Sequence, residues 1–146
     1  MNQRIVQIRA LDKKTKDLKS NLNIISHNSS WINTVREAIG MTAIQLANRL
    51  GITQPRISKM EMNEENLKIS TMKKIAQALN CDFVYYFKPQ NSFQEIVENQ
   101  ARKKAIEILQ QVNLNMALEN QSIVTDEVIE DLVQELIYKD TKKIWE

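Results

Sequence analysis

Apolar residues recur every three or four positions along most of this chain, the spacing of helices that bury one face. Ile5, Ile8 and Leu11, with Leu18 beyond, predict a helix over residues 2–20 whose other sides carry Arg4, Arg9, Lys13, Lys14, Lys16 and Lys19. A basic amphipathic helix of this kind can reach DNA phosphates, dock on a partner subunit or simply solvate the outside of a core. The run from Asn21 to Ser30 is rich in turn formers and has no period, so it reads as a linker. Ile32, Val35 and Ile39 predict a helix from Trp31, which would roof the core, to a stop at Gly40. Met72, Ile75, Ala76 and Leu79 predict another, opened by Ser70 or Thr71. Ser92 and Glu95 form a capping-box pattern before a long helix to about Val112, with Val97, Ala101, Ala105, Ile108 and Val112 on one face. Thr125, Asp126 and Glu127 open the last helix, and Val128, Ile129, Leu132, Val133, Leu136 and Ile137 give it a broad apolar side.

Only at Cys81 to Lys88 does the period change. Phe83, Tyr85 and Phe87 alternate there with Val84 and Tyr86, and Pro89 ends the run, so it predicts one β-strand. A lone strand leaves its backbone groups unpaired unless the N-terminal segment or a second subunit supplies a neighbour. Pairing with its own copy about a two-fold axis would make residues 83–87 a dimerisation element; otherwise the run is a short extended segment on the core.

The densest cluster of signals lies between Thr42 and Glu61. Thr42 and Gln45 form a capping box, and Leu46, Ala47 and Leu50 share one face. Gly51 then supplies a residue tolerant of positive φ, Thr53 reopens the chain as an N-cap, and Pro55 sits in the first turn, where a missing N–H costs nothing. Ile57 and Met60 carry the apolar stripe on. Gln54, Pro55, Arg56, Ser58 and Lys59 are left on the outer or leading face of the second helix. Two short helices so arranged form a helix-turn-helix, which lays its second helix in the DNA major groove; the plain alternative is a helical hairpin with no DNA role.

Charge sharpens the picture. The 146 residues carry a net +2, but residues 1–30 hold +4, residues 31–88 +3 and residues 89–146 −5. The first two segments suit a phosphate backbone, whereas the acidic last segment suits packing on the domain or another protein. One cysteine, Cys81, excludes a disulfide framework and reads as a small buried apolar residue. Two glycines exclude a glycine-rich phosphate loop. The single His27, in the Asn/Ser-rich linker, has no second ligand or catalytic partner at useful spacing. No catalytic group, metal or cofactor is therefore expected, nor a signal peptide or membrane span, and a cytoplasmic protein fits best.

The run Thr42, Leu46, Ala47, Leu50, Gly51, Ile57, Ser58 and Glu61 resembles the phage-repressor-like (Xre-type) helix-turn-helix proteins. That resemblance implies a partly buried ion pair between Arg36 and Glu61. Ala43 stands where many members carry a phosphate-binding Gln, and Met62-Asn63 replaces the usual glycine-bearing pair, although Asn also accepts the left-handed conformation. The domain followed by ALNCDFVYYF, SFQEIVENQARKKA and a terminal Trp resembles, over most of the chain, the mobile mystery protein A family. Those are bacterial helix-turn-helix proteins encoded beside a Fic-domain partner, which implies a regulator or antitoxin of that partner. The strings nearest to a Fic-inhibitory helix end at Glu119-Asn120 and Glu98-Asn99, and both lack the leading Ser or Thr.

The expected architecture is mainly α: a four-to-five-helix phage-repressor-like domain at residues 31–80, preceded by a basic helix and linker at 1–30. A dimerising strand and C-terminal helices follow at 81–146. The expected function is a sequence-specific transcriptional regulator that binds double-stranded DNA at a two-fold operator as a homodimer. In it Gln54, Arg56 and Lys59 meet bases or phosphates, and Thr42, Gln45 and Thr53 position the backbone. The alternative is an antitoxin that chiefly inhibits the Fic-type enzyme by direct contact.

Overall fold

The computed structural model describes residues 2–16, 30–117 and 125–146. His27, Leu18, Lys19, most of the expected linker and the Glu119-Asn120 pair lie outside them. Seven α-helices are formed among the described residues: α1 (Gln3–Thr15), α2 (Trp31–Ala38), α3 (Ala43–Leu50), α4 (Gln54–Met62), α5 (Ile69–Ala78), α6 (Phe93–Ala117) and α7 (Asp126–Lys139). Two compact units result, one made of α2–α5 and the chain up to Tyr86, the other of α1 with Phe87–Glu146.

In the α2–α5 unit the core is Ile32, Leu46, Ala47, Ile57, Ile75 and Leu79, with Val35, Leu50, Met60 and Met72 packed against it. The apolar spacing predicted these positions. Ile39 and Trp31 depart from it: both are more than half exposed, because α2 turns Ile32 and Val35 inward and leaves those two outside. The Thr42–Gln45 capping box closes as expected, Gln45 N donating to Thr42 Oγ1 (3.2 Å) and Thr42 N to Gln45 Oε1 (2.8 Å). Gly51 takes φ 66° at the end of α3, a conformation a side chain would strain.

Three expected caps differ. Thr53 precedes α4 in extended conformation but its hydroxyl caps nothing, and α5 starts two or three residues early, after Lys68, so neither Ser70 nor Thr71 is its cap. Asn63 has φ −125°, because a 3-10 turn over Glu64–Asn66 carries the chain on from α4 without a left-handed residue. The left-handed Asn is Asn80 (φ 57°), which ends α5 by letting Cys81 N reach back to Ala76 O at 2.8 Å.

The strand expected at Cys81–Lys88 is not formed, and among the described residues there is no strand at all. A strand requires a ladder partner, and no backbone hydrogen bond joins residues 82–91 to another described backbone group. Phe83 and Tyr85 stack on each other instead, their centroids 5.7 Å apart, with Lys73 Nζ 5.6 Å from the Tyr85 ring. Cys81 is exposed, not buried, because the helix end turns it outward.

The other unit is built on α6 and α7. Ala101 and Ala105, one turn apart and fully buried, let α7 approach α6 closely, and Val133, Leu136 and Ile144 fill the space between. Ile144 comes from a 3-10 turn after α7 whose carbonyl accepts from Gln100 Nε2 at 2.7 Å. Val112 lies outside this core, 42% exposed. Helix α1 packs on α6, the end of the expected helix at 17–20 lying outside the described residues, and Asp12 accepts from Phe93 N (2.6 Å) and Gln94 N (3.1 Å). Asn2 Nδ2 donates to Tyr138 O at 2.9 Å.

Candidate nucleic-acid interface

Helix α4 is short, and what makes it a presentable surface is how firmly its inner side is held. Ile57 is completely buried, so the residues around it are forced outward: Gln54, Pro55, Arg56 and Lys59 are exposed and Ser58 is half-buried. Gln54 Nε2 donates to Ser58 Oγ (3.2 Å), which aligns the amide along the helix. Among the described residues neither Arg56 nor Lys59 enters an ion pair, so both cations face solvent without a protein counter-charge. On α3, Thr42 and Gln45 are exposed at the capped N-terminus. The Gln45 carbonyl oxygen is occupied by Thr42 N, which leaves its amide group as a donor.

The predicted ion pair is present. Arg36 Nε donates to Glu61 Oε1 at 2.7 Å and Nη2 to Oε2 at 3.2 Å, a two-point bond between side chains only 11% and 12% exposed. Arg36 Nη1 also donates to Met41 O at 3.0 Å, so the guanidinium joins α2, the turn after it and the last turn of α4. The Glu61 hydrogen bond outweighs partial burial and raises the Arg36 pKa above its ordinary value. The pair holds the helix that would read DNA; it is not itself at the surface.

One contributor was not foreseen. Glu64, just beyond α4, accepts from Trp31 N (2.9 Å) and Ile32 N (2.8 Å) and so fixes the start of α2, aided by Ser30 Oγ on Asn33 N (2.9 Å). Its partners lie more than thirty residues away, and no local spacing signals it. On α3, Ile44 beside Gln45 is 60% exposed.

Instead of a strand, the run at residues 83–87 leaves Val84 73%, Tyr85 54% and Tyr86 47% exposed, and Phe87, in the other unit, 91% exposed. Beside them an apolar hollow of about 310 Å³ is lined by Trp31, Val35, Met72, Leu79, Phe83 and Val84. Among the described residues no group of three or more His, Cys, Asp or Glu side chains could hold a metal ion, and no helix is long and apolar enough to cross a membrane.

Residues 32–86 match the family model described as Helix-turn-helix. The matched span runs from the first turn of α2 through α5 to Tyr86, and it supports a phage-repressor-like helix-turn-helix domain there. It covers neither α1 nor α6 and α7, so it carries nothing on the mobile mystery protein A resemblance or a Fic-domain neighbour. No curated protein and no solved structure matches the chain significantly.

Proposed function

We propose that this protein is a sequence-specific DNA-binding transcription regulator, acting in the bacterial cytoplasm at the nucleoid, that binds a two-fold operator as a homodimer and represses its own operon. The observation that carries the reading is the outward set Gln54, Arg56 and Lys59 on a helix anchored from behind by Ile57 and the Arg36–Glu61 pair, within the span that matches the helix-turn-helix family. Gln54 would read an adenine edge, Arg56 and Lys59 guanine or phosphate. Thr42, Gln45, Thr53, Pro55 and Ser58 would set the approach of the backbone, with the first amides of α3 on a phosphate.

One module buries only about 600–1,000 Å² against DNA, too little for the affinities near 10⁻⁸ M at which regulators work. Two copies with recognition helices about 34 Å apart solve this. The exposed side chains of Val84, Tyr85, Tyr86 and Phe87, with the half-buried Phe83, are the proposed contact between copies, with residues 31–80 as the DNA-binding domain. Selection of bound sequences from a random duplex library should enrich a palindrome, and sedimentation should show a dimer. Gln54→Ala and Lys59→Ala should each cost roughly 1–3 kcal/mol on the enriched site and less on random DNA. No enriched sequence, or equal losses on both DNAs, would sink the reading.

The same apolar surface favours a second reading, an antitoxin that covers a partner enzyme. The resemblance noted above makes that partner a Fic-domain protein. Coexpression with the neighbouring gene product separates the two: a stable complex that blocks the partner's activity and survives loss of DNA binding would make inhibition the main task.

A further inference from the structure

Helix α1 carries Arg9, Lys13 and Lys16 at spacings of four and three, so their side chains share one stripe. Lys16 keeps helical geometry, with φ −56° and its N–H on Asp12 O at 2.9 Å, so the stripe is continuous for about 10 Å along the axis. All three are exposed, and among the described residues none enters an ion pair. Among the described residues the acids nearby are engaged; Asp17, four residues after Lys13, lies outside them. Asp12 gives both oxygens to the first amides of α6, and Glu98, which borders the same hollow as Arg9, accepts from Gln94 Nε2 at 2.7 Å. The residues from 89 onward carry −5, so this stripe is a local reversal of sign in its unit.

We infer that the Arg9–Lys13–Lys16 stripe is a second nucleic-acid contact that grips the phosphate backbone of duplex DNA outside the sequence read by α4. Duplex DNA carries a charge every 1.7 Å or so of axis, and a 10 Å stripe of three exposed cations can neutralise up to about three phosphates. An anionic membrane fits less well. The apolar side of α1, Ile5 and Ile8, lines the hollow shared with Val97 and Ile137, and the apolar residues left outside, Val6 and Leu11, lie on different sides of the helix. The contact deepens the regulator reading: α4 would give sequence preference and α1 sequence-independent grip.

The test uses the full chain and a mixed-sequence duplex of roughly 30 bp, about three turns. Arg9→Gln, Lys13→Gln and Lys16→Gln together keep helix propensity while removing the charge. The slope of log affinity against log salt should become shallower by about 0.9 per lost phosphate, up to about 2.7. From about 50 to 200 mM salt the wild type should then lose roughly 40-fold more affinity than the variant. Should the triple variant melt early, Lys13→Gln alone should reduce the slope by about 0.9. An unchanged slope in a folded variant overturns the inference. So does loss of binding to phosphatidylserine vesicles with DNA binding intact, which would assign the stripe to membranes. Wild type that binds no DNA overturns this inference and the regulator reading together. If the α1 variants weaken binding while Gln54→Ala and Lys59→Ala change it on no sequence, the regulator reading fails and the inference stands.

Discussion

Helices α2 and α6 begin in the same way, although they belong to different units. Each has a serine next door, Ser30 on Asn33 N and Ser92 on Glu95 N, and each has a carboxylate from afar. Glu64 takes the first two amides of α2 and Asp12 those of α6. The units part company in everything else. The α2–α5 unit takes several of its turns and stops from neighbours in sequence, such as the Thr42–Gln45 box and Gly51, whereas the α1–α6–α7 unit also depends on groups that meet from opposite ends of the chain, such as Asn2 with Tyr138 O. Local signals, such as the apolar faces of α6 and α7 or the Thr42–Gln45 box, are read easily in either unit; distant meetings are not.

The largest effect should come from emptying the local core. Leu46→Ala removes a fully buried side chain at the contact of α3 with α4 and α5, and should cost about 2–5 kcal/mol. Amide exchange should then quicken through α2–α5 while α6 and α7 keep their protection. Equal acceleration everywhere would show that the two units melt as one and would erase the contrast between them.

Next comes the ion pair. Arg36→Ala leaves Glu61 nearly buried without its partner and should cost about 3 kcal/mol, with loss of DNA binding following the loss of structure around α4. An unchanged melting temperature would mean that Ile57 alone holds α4.

The distant caps should be weaker and alike. Glu64→Ala and Asp12→Ala should each cost about 0.5–2 kcal/mol, since the neighbouring serine in each case still holds a third amide. Chemical denaturation of the two variants measures this directly. If Asp12→Ala proved far more damaging than Glu64→Ala, Asp12 would be docking α1 as well as capping α6.

Legibility follows the same division. The Thr42–Gln45 box, the Gly51 stop and the buried set Leu46, Ala47 and Ile57 were all predicted from residues within one or two turns of each other. So was the outward face of α4, which is simply what remains once Ile57 is turned in. The Arg36–Glu61 pair, 25 residues apart, came from family resemblance and not from spacing. Glu64 and Asp12 gave no sign, because a capping carboxylate is recognised by where its helix lies in space. The aromatic run misled for a related reason. Alternation of Phe83, Tyr85 and Phe87 with Val84 and Tyr86 states a capacity to pair, but a strand exists only where a partner backbone is present, and the chain offers none among its described residues.

The smallest effect belongs to the salt bridge of the second unit, and it completes the comparison with Arg36–Glu61. Arg102 on α6 and Glu130 on α7 are hydrogen-bonded, yet their side chains are 51% and 48% exposed. Water and salt screen such a pair, and its Coulomb gain is largely offset by the entropy of holding two long side chains. The hydrogen bonds from Arg102 and then Gln134 hold the Glu130 carboxyl below its ordinary pKa of 4.5. A lowered folded-state pKa stabilises the protein at pH values above the unfolded one, and that contribution disappears as pH falls through the lowered value. Glu130→Gln should therefore leave the melt at pH 7 close to wild type, most of all at high salt, and the two melts should converge fully in acid. A clear loss at pH 7 that persists in high salt would show that this exposed pair fixes the approach of α7 to α6, as the buried pair fixes α2 and α4.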